Sequence, residues 1–211
     1  MPNNPNELPP WLIWAREIQA LSQTGLTFTT NEFDRQRFER LREIAAEIAT
    51  RHVDLPLELC LQQFSAQTGY ATPKIDVRGA VVRAGKILLV QEKLDQCWCM
   101  PGGWGDVGEK PSDMVAREVR EESGFEVIPR KVVGVFDANR EGRPMSFFHA
   151  YKIIFLCDIA GGEARPSAET LAVDFFDFDQ LPPLSSSRTH PRHLAEVRAH
   201  LRDEQRVAAF D

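Results

Sequence analysis

Three glutamates stand at spacings that bring their carboxylates together. Glu118, Glu121 and Glu122 occupy positions i, i+3 and i+4 of a short charged segment. In a helix these positions share one face, and like charges there repel by about 0.2–0.5 kcal/mol per exposed pair. A hard divalent cation offsets this repulsion, because Mg²⁺ and Mn²⁺ prefer carboxylate and water oxygens and bridge to phosphates. The residues alone leave two interpretations open: a metal site for phosphate chemistry, or a solvated acidic face with arginine ion pairs.

A glycine-rich loop precedes the acidic segment. Residues 102–108 contain four glycines, which permit tight turns and let the backbone approach a ligand closely. Pro111 suits the first turn of a helix and Gly124 suits the position after its end. The sequence therefore predicts a helix over residues 111–123 that presents the acids from a rigid support. Its apolar side, which we expect to face a sheet, consists of Val115, Ala116 and Val119.

The loop and the helix together match one long pattern. From residue 103 to 125 the chain reads G-x5-E-x7-R-E-U-x-E-E-x-G-U, where U is a bulky apolar residue. This string resembles the Nudix box, the signature of the Nudix hydrolases, and it favours the metal-site interpretation. The resemblance implies hydrolysis of a nucleoside diphosphate linked to a moiety X, with Mg²⁺ or Mn²⁺ as cofactor. All nine fixed positions are filled, by Gly103, Glu109, Arg117, Glu118, Val119, Glu121, Glu122, Gly124 and Phe125.

The resemblance implies roles in catalysis and metal binding. Glu118, Glu122 and Glu121 are the expected metal ligands, and Glu109 supports them or holds a further metal ion. Arg117 is expected to orient the carboxylates by charged hydrogen bonds. The general base has two candidates, Glu118 and Glu169, and the second could equally be a solvated loop acid.

Four further residues are candidates for substrate binding. Gly103 would place its backbone next to the site, and Trp104 could stack on a nucleobase or simply pack. Arg143 could contact phosphate or belong to a solvated hairpin tip. Arg78 completes the set.

The segments around the box predict an α/β fold, a Nudix α/β/α sandwich with a mixed β-sheet. Runs at 77–82 and 86–90, separated by Ala84-Gly85, are typical of a hairpin. Further strands are expected at 132–137, 147–157 and 173–178, and the second of these is apolar enough to be central. A last helix is expected from about Pro191, with Leu194, Val197 and Leu201 on its inner face.

Residues 1–70 predict a small all-α N-terminal domain before a Nudix domain at 71–211. We expect a first helix that ends at Gly25, a second that begins after the cap residue Asn31, and a third that follows Pro56 and ends near Gly69. The domain could be a structural cap, or it could form a homodimer. The expected inner faces are Trp11, Trp14, Ile18 and Leu21; Phe38, Leu41, Ile44 and Ile48; and Leu57, Leu61 and Phe64.

Segments outside the box narrow the resemblance to one subgroup. Residues 21–28, 33–35, 69–78 and 181–185 resemble Nudix hydrolases that carry an N-terminal helical domain. Members of this subgroup are described as ADP-ribose or CDP-choline-type pyrophosphatases. The substrate implied is therefore a small nucleoside diphosphate derivative.

Composition and charge exclude several classes of protein. The 211 residues are 43% hydrophobic and 27% charged, which excludes a disordered or collagen-like chain. The net charge of −6 makes duplex nucleic acid an unfavourable binding partner for this chain. No window of about 18 apolar residues and no signal segment is visible, so no membrane partner is expected. Four cysteines in such a chain favour a reducing cytoplasm.

Two other functions remain as alternatives to the pyrophosphatase. One is a module that senses ADP-ribose without cleaving it, which the complete set of box acids disfavours. The other is hydrolysis at the 5′ end of RNA, which the lack of a basic excess weakens.

Overall fold

A computed structural model describes residues 9–52, 56–138 and 148–211. The chain divides into two compact units, a helical one that extends to Pro73 and an α/β one that begins at Lys74. Phe148 and His149 group with the helical unit. A boundary near residue 70 between independently folding domains stays a prediction. In the described ranges, no helix has the length and apolar character needed to cross a membrane.

The described part of the helical unit contains three helices, α1 (Pro10–Phe28), α2 (Glu32–Thr50) and α3 (Leu57–Ser65). Asn31 caps α2 as predicted, because its side chain accepts hydrogen bonds from the N–H groups of Phe33 and Asp34. The ring of Phe64 meets that of Phe148 edge-on, with centroids 6.4 Å apart. The core of this unit consists of Ala45, Ala46, Ala49, Cys60 and Phe64.

The predicted end of α1 at Gly25 is wrong, because the helix continues to Phe28. A Cβ atom on Gly25 would lie 2.4 Å from the Phe38 ring, so this glycine permits close packing of two helices. The predicted inner faces are also partly wrong, since Trp14 and Leu21 are 59% and 58% exposed. Most of the residues that are buried in their place are small or polar: Ala15, Gln19 and Ser22 in α1, three alanines in α2, and Cys60 in α3. Leu12 is also buried, and the predicted burial of Phe64 is confirmed.

Within residues 74–138 and 150–211, the α/β unit contains seven strands and two helices. The strands are β1 (Lys74–Arg83), β2 (Lys86–Glu92), β3 (Trp98–Cys99), β4 (Phe125–Asp137), β5 (Ala150–Gly162), β6 (Thr170–Asp177) and β7 (Ala209–Phe210). The helices are α4 (Pro111–Ser123) and α5 (Pro191–Arg202). The strand order is β3-β2-β1-β5-β4-β7, with β6 paired to β2. Since β1 pairs in parallel with β5 and antiparallel with β2, the sheet is mixed.

The two helices pack on opposite faces of this sheet, which confirms the predicted layers. Side chains of β1 alternate: Val77 and Val81 join the core beneath α4, whereas Ala80 joins the core beneath α5. The hairpin at Ala84-Gly85 is confirmed, with both residues at positive φ. The central position of β5, between β1 and β4, is also confirmed.

Some predicted bounds need correction. The central strand begins at Ala150, and the predicted residue Phe147 lies outside the described residues. β4 begins at Phe125, because Gly124 at φ 80° turns the chain directly from α4 into the strand. Leu201 is 39% exposed, so it does not belong to the inner face of α5.

Candidate active site

A glycine of β1 allows the helix α4 to lie close to the sheet. A Cβ atom on Gly79 would lie only 2.4 Å from Val119 Cγ2. Val119 and Val115 are completely buried, as the sequence predicts for the apolar side of this helix. The opposite side therefore presents its acids from a fixed position.

Glu122 is the most buried of the three acids. It is 7% exposed, and its Oε2 accepts a 2.8 Å hydrogen bond from the Gly102 N–H. Burial raises the pKa of Glu122 to about 7, and the charges of Glu92 and Glu118 act in the same direction. Arg78 and the Gly102 N–H oppose this rise. Arg78 and the Gly102 N–H thus offset only part of the cost of burying the negative charge of ionised Glu122.

Arg117 donates hydrogen bonds to the other three box carboxylates, those of Glu109, Glu118 and Glu121. Its Nη1 lies 2.9 Å from Glu118 and 3.0 Å from Glu121, while Nε and Nη2 bond both oxygens of Glu109. This pairing lowers the pKa of Glu109. Burial raises the pKa of Glu118 in spite of Arg117. The predicted orienting role of Arg117 is consistent with these contacts.

The glycine loop lies along β1 and touches the acids. Gly79 N–H donates to Pro101 O, and Val77 N–H donates to Gly103 O. A Cβ atom on Gly103 would be 2.9 Å from Glu118 Oε2, so the backbone approaches this carboxylate closely. On Gly102, with φ at +147°, a Cβ atom would lie 2.0 Å from Val77 O. Position 102 therefore needs glycine, whereas a side chain at position 103 would displace the Glu118 carboxylate.

The acids and the loop line a cavity of about 600 Å³. Glu169 lines the same cavity from the segment before β6. This segment is held by Lys93, whose N–H donates to Glu169 O and whose Nζ donates to Ala168 O. Thr170 Oγ1 also donates to Glu122 O, which ties the segment to the end of α4. The cavity is lined by Asp76, Arg78, Glu92, Gly102, Gly103, Trp104, Asp106, Arg117, Glu118, Glu121, Glu122, Ser167, Ala168, Glu169 and Arg188.

The carboxylate oxygens fit a hard divalent cation in their chemistry. Among residues 9–52, 56–138 and 148–211, no three acidic, histidine or cysteine side chains stand in a ligating group. Arg117 bonds Glu118 and Glu121, and the Gly102 N–H bonds Glu122. Glu122 is buried and has a raised pKa, and Glu118 and Glu121 lie on the same side of α4. A divalent cation would stabilise the ionised forms of these carboxylates.

The structure brings most of the predicted site residues together. Glu118, Glu121, Glu122, Arg117, Glu169, Gly103, Trp104 and Arg78 all line the cavity. Glu109 instead pairs with Arg117 and is not among the lining residues. The predicted substrate contact Arg143 lies outside the described residues. The individual roles stay predictions.

The two predicted substrate contacts Trp104 and Arg78 have different surroundings. Trp104 is 46% exposed, so its indole is accessible from the cavity. Arg78 is 4% exposed, with Nε bonded to Asp76 and Nη1 bonded to Met100 O. Asp76 also pairs with the fully buried Lys152 at 3.1 Å. Arg78 thus belongs to a buried polar network beneath the cavity.

Sequence reasoning missed several cavity residues. Glu92 ends β2, and Arg188 follows the Leu-Pro-Pro-Leu-Ser stretch at 181–185. That stretch supports the subgroup resemblance, but it gives no indication that the arginine three positions after it lines the cavity. Asp76 and Ser167 carry no spacing signal at all.

Two family models match the chain. A model described as a UDP-X-like, N-terminal oligomerisation domain matches residues 9–64, and the NUDIX domain model matches residues 73–197. A Bacillus subtilis protein, YjhB, is 37% identical over 201 residues, which are 95% of this chain and 97% of that protein. It carries the provisional name ADP-ribose pyrophosphatase.

Solved structures show the same similarity. A Streptococcus suis ADP-ribose pyrophosphatase is 39% identical with a TM-score of 0.60, over 66% of this chain and all of that one. A UDP-X diphosphatase is 32% identical with a TM-score of 0.62, over 95% of this chain and 98% of that one. The second similarity includes the N-terminal helices.

Proposed function

The chain belongs to the Nudix hydrolases, and we propose that it hydrolyses the pyrophosphate bond of a nucleoside diphosphate linked to X. The products would be a nucleoside monophosphate and X-phosphate. One observation carries this proposal: the box acids Glu118, Glu121 and Glu122 line one cavity together with Glu169. A sensor that only binds its ligand would not need these acids.

We propose that Glu118 and Glu122 hold Mg²⁺ or Mn²⁺, with Glu121 beside them. A bound divalent cation neutralises diphosphate charge and lowers the pKa of a coordinated water. Gly103 leaves room for the Glu118 carboxylate, and Arg117 fixes its orientation. Glu109, which pairs with Arg117 through two hydrogen bonds, supports that arginine from outside the cavity.

Glu169 is the better candidate for the general base of the two that the sequence offers. Glu118 accepts a hydrogen bond from Arg117 and is already committed to the acid cluster. Glu169 reaches the cavity from a different element, on a segment fixed by Lys93 and Thr170. It can therefore accept a proton from water without leaving the cation site.

ADP-ribose is the substrate that we propose first. The YjhB and Streptococcus suis relatives are named for ADP-ribose, and a structural relative is named for UDP-X. These substrates share a nucleoside diphosphate esterified to a second group. Trp104 supports the proposal because an accessible indole beside the acids can stack on a nucleobase.

The test is a substrate panel with the full chain. ADP-ribose, UDP-sugars, CDP-choline and a 5′-triphosphorylated RNA oligonucleotide are each incubated with Mg²⁺, with Mn²⁺ and with chelator. We expect metal-dependent release of nucleoside monophosphate from a diphosphate substrate, and loss of this release in E122Q. Turnover in chelator, or E122Q turnover at the wild-type rate, would reject the metal site. Cleavage of the RNA alone would replace the proposed substrate class.

We also propose that the protein is a homodimer formed through the helical unit. The N-terminal family model is described as an oligomerisation domain, and this unit exposes several large apolar side chains. These are Ile13, Trp14, Leu21, Phe28 and Phe33, which are 47–71% exposed.

All four cysteines are free, which supports the proposal that the protein acts in a reducing cytoplasm.

A further inference from the structure

We propose that Arg188 binds a phosphate oxygen of the diphosphate substrate, an inference that rests on the proposed function. Arg188 lies outside the Nudix box, 63 positions after its last residue, Phe125. It nevertheless lines the same cavity as the box acids. Its position is set by contacts of its own segment rather than by the box.

The segment from Ser185 to Thr189 is fixed at both ends. Ser185 N–H donates to Trp98 O at 2.8 Å, and Met100 N–H donates to Thr189 Oγ1 at 2.8 Å. Since Met100 directly precedes the glycine loop at Pro101, the Arg188 segment and that loop share one support.

A buried lysine holds the middle of this segment. Lys152 Nζ donates to Ser187 O and to Arg188 O, and it pairs with Asp76 at 3.1 Å. Lys152 is completely buried. Because a buried ammonium needs such partners, it fixes the backbone of Arg188 firmly. The guanidinium is therefore presented from a rigid element, as a substrate contact requires.

The guanidinium still has donors available. Nε lies 3.3 Å from Glu92, and Nη1 lies 3.6 Å from Asp95 and 3.3 Å from Ser185 Oγ. Within the described part of the chain, these contacts engage Nε and Nη1 and leave Nη2 for a ligand. The side chain is 16% exposed, so little solvent has to be displaced. Guanidinium groups bind phosphate through such directed N–H donors.

The other two cavity arginines are committed elsewhere. Arg78 is 4% exposed and bonds Asp76 and Met100 O. Arg117 bonds the box carboxylates and orients them. A diphosphate that enters this acid-rich cavity needs a cation from the protein besides the metal ion, and Arg188 supplies it.

Arg188 could alternatively serve only to neutralise Glu92. The two roles differ in what a double variant does. If Arg188 only neutralises Glu92, then E92Q should restore the function lost in R188Q. If Arg188 binds phosphate, then R188Q/E92Q should stay as weak as R188Q.

The experiment compares wild type, R188K, R188Q, R188Q/E92Q and a control, R192Q. Arg192 has a similar exposure, 22%, and also pairs with a carboxylate, that of Asp211, but it does not line the cavity. The probe is the α,β-methylene analogue of ADP-ribose, which resists hydrolysis, titrated with Mg²⁺ by calorimetry. Steady-state kinetics with ADP-ribose and urea unfolding accompany the titration.

We expect R188Q to raise the Kd of the analogue and the KM by about 10- to 100-fold, the range of a hydrogen bond to a charged group. R188K should recover part of this loss, and R192Q should bind like wild type. Analogue affinity within about twofold of wild type in R188Q, or its recovery in R188Q/E92Q, would overturn the proposal. If wild type itself neither binds the analogue nor cleaves ADP-ribose, the proposed function fails first, and the role of Arg188 fails with it.

Discussion

Replacing Glu122 with glutamine should remove a pH-dependent destabilisation of the metal-free protein. The folded-state pKa of Glu122 is about 7, against an ordinary value of 4.5, and its main cause is burial. An acid with a raised folded pKa favours the folded state in its protonated form. Its contribution is therefore fully present below pH 4.5 and is lost as the pH rises to about 7.

The size of this loss follows from the same two values. The interval from 4.5 to about 7 corresponds to about 3 kcal/mol, at 1.36 kcal/mol for each pH unit. Because Glu122 is only 7% exposed, solvent screens its charge little. A loss of this size is a large part of the stability of an ordinary domain.

The assay is urea unfolding in chelator at a series of pH values from 4.5 to 8. We expect the difference in unfolding free energy between E122Q and wild type to grow by up to about 3 kcal/mol over this range. The control is E126Q, which removes an exposed carboxylate at the start of β4. Parallel pH curves for wild type and E122Q would refute the assignment of a raised pKa to Glu122.

The same assay examines the metal site. Mg²⁺ or Mn²⁺ should stabilise wild type most above pH 7, because the ion binds the ionised carboxylate and releases its proton. E122Q should gain much less from the ion. Equal stabilisation of both proteins would place the metal ion elsewhere.

Three further changes probe the support of the site. G103A should lower kcat/KM by at least about 10-fold with little change in unfolding free energy. The reason is that a Cβ atom at this position would lie 2.9 Å from Glu118 Oε2 and displace that carboxylate. Wild-type kinetics in G103A would contradict this. G79A should cost about 1–3 kcal/mol in urea unfolding, because its Cβ atom would lie 2.4 Å from Val119, and an unchanged midpoint would show that α4 can shift. L21E should convert a dimer to a monomer in light scattering, because Leu21 is 58% exposed in the helical unit; a persisting dimer would locate the interface elsewhere.

The box and its helix could be predicted because their signals are local. Pro111 and Gly124 mark the ends of α4, and the spacing of the acids places them on one side whatever the helix packs against. The hairpin at Ala84-Gly85 is equally local. In each case the responsible residues lie within a few positions of the feature that they determine.

The helical unit was predicted less well because its packing depends on residue size rather than on apolar spacing. The pattern placed Trp14 and Leu21 inside, whereas Ala15 and Ser22 are the buried residues. Ser22 Oγ donates to Phe38 O, so a polar side chain is satisfied where the two helices come close. A hydrophobic pattern cannot distinguish a face that packs within one chain from a face that remains exposed for a partner.

The distant cavity residues were missed for a different reason. Glu92 and Arg188 reach the acids from distant parts of the chain, and only the pairing in the sheet around β2 and the hydrogen bonds around Met100 bring them together. Glu169, which precedes β6 and lines the same cavity, was expected from the family resemblance and not from its spacing. The box therefore predicts the chemistry, and we expect cavity residues other than the fixed box positions, such as Trp104 and Arg188, to select the diphosphate.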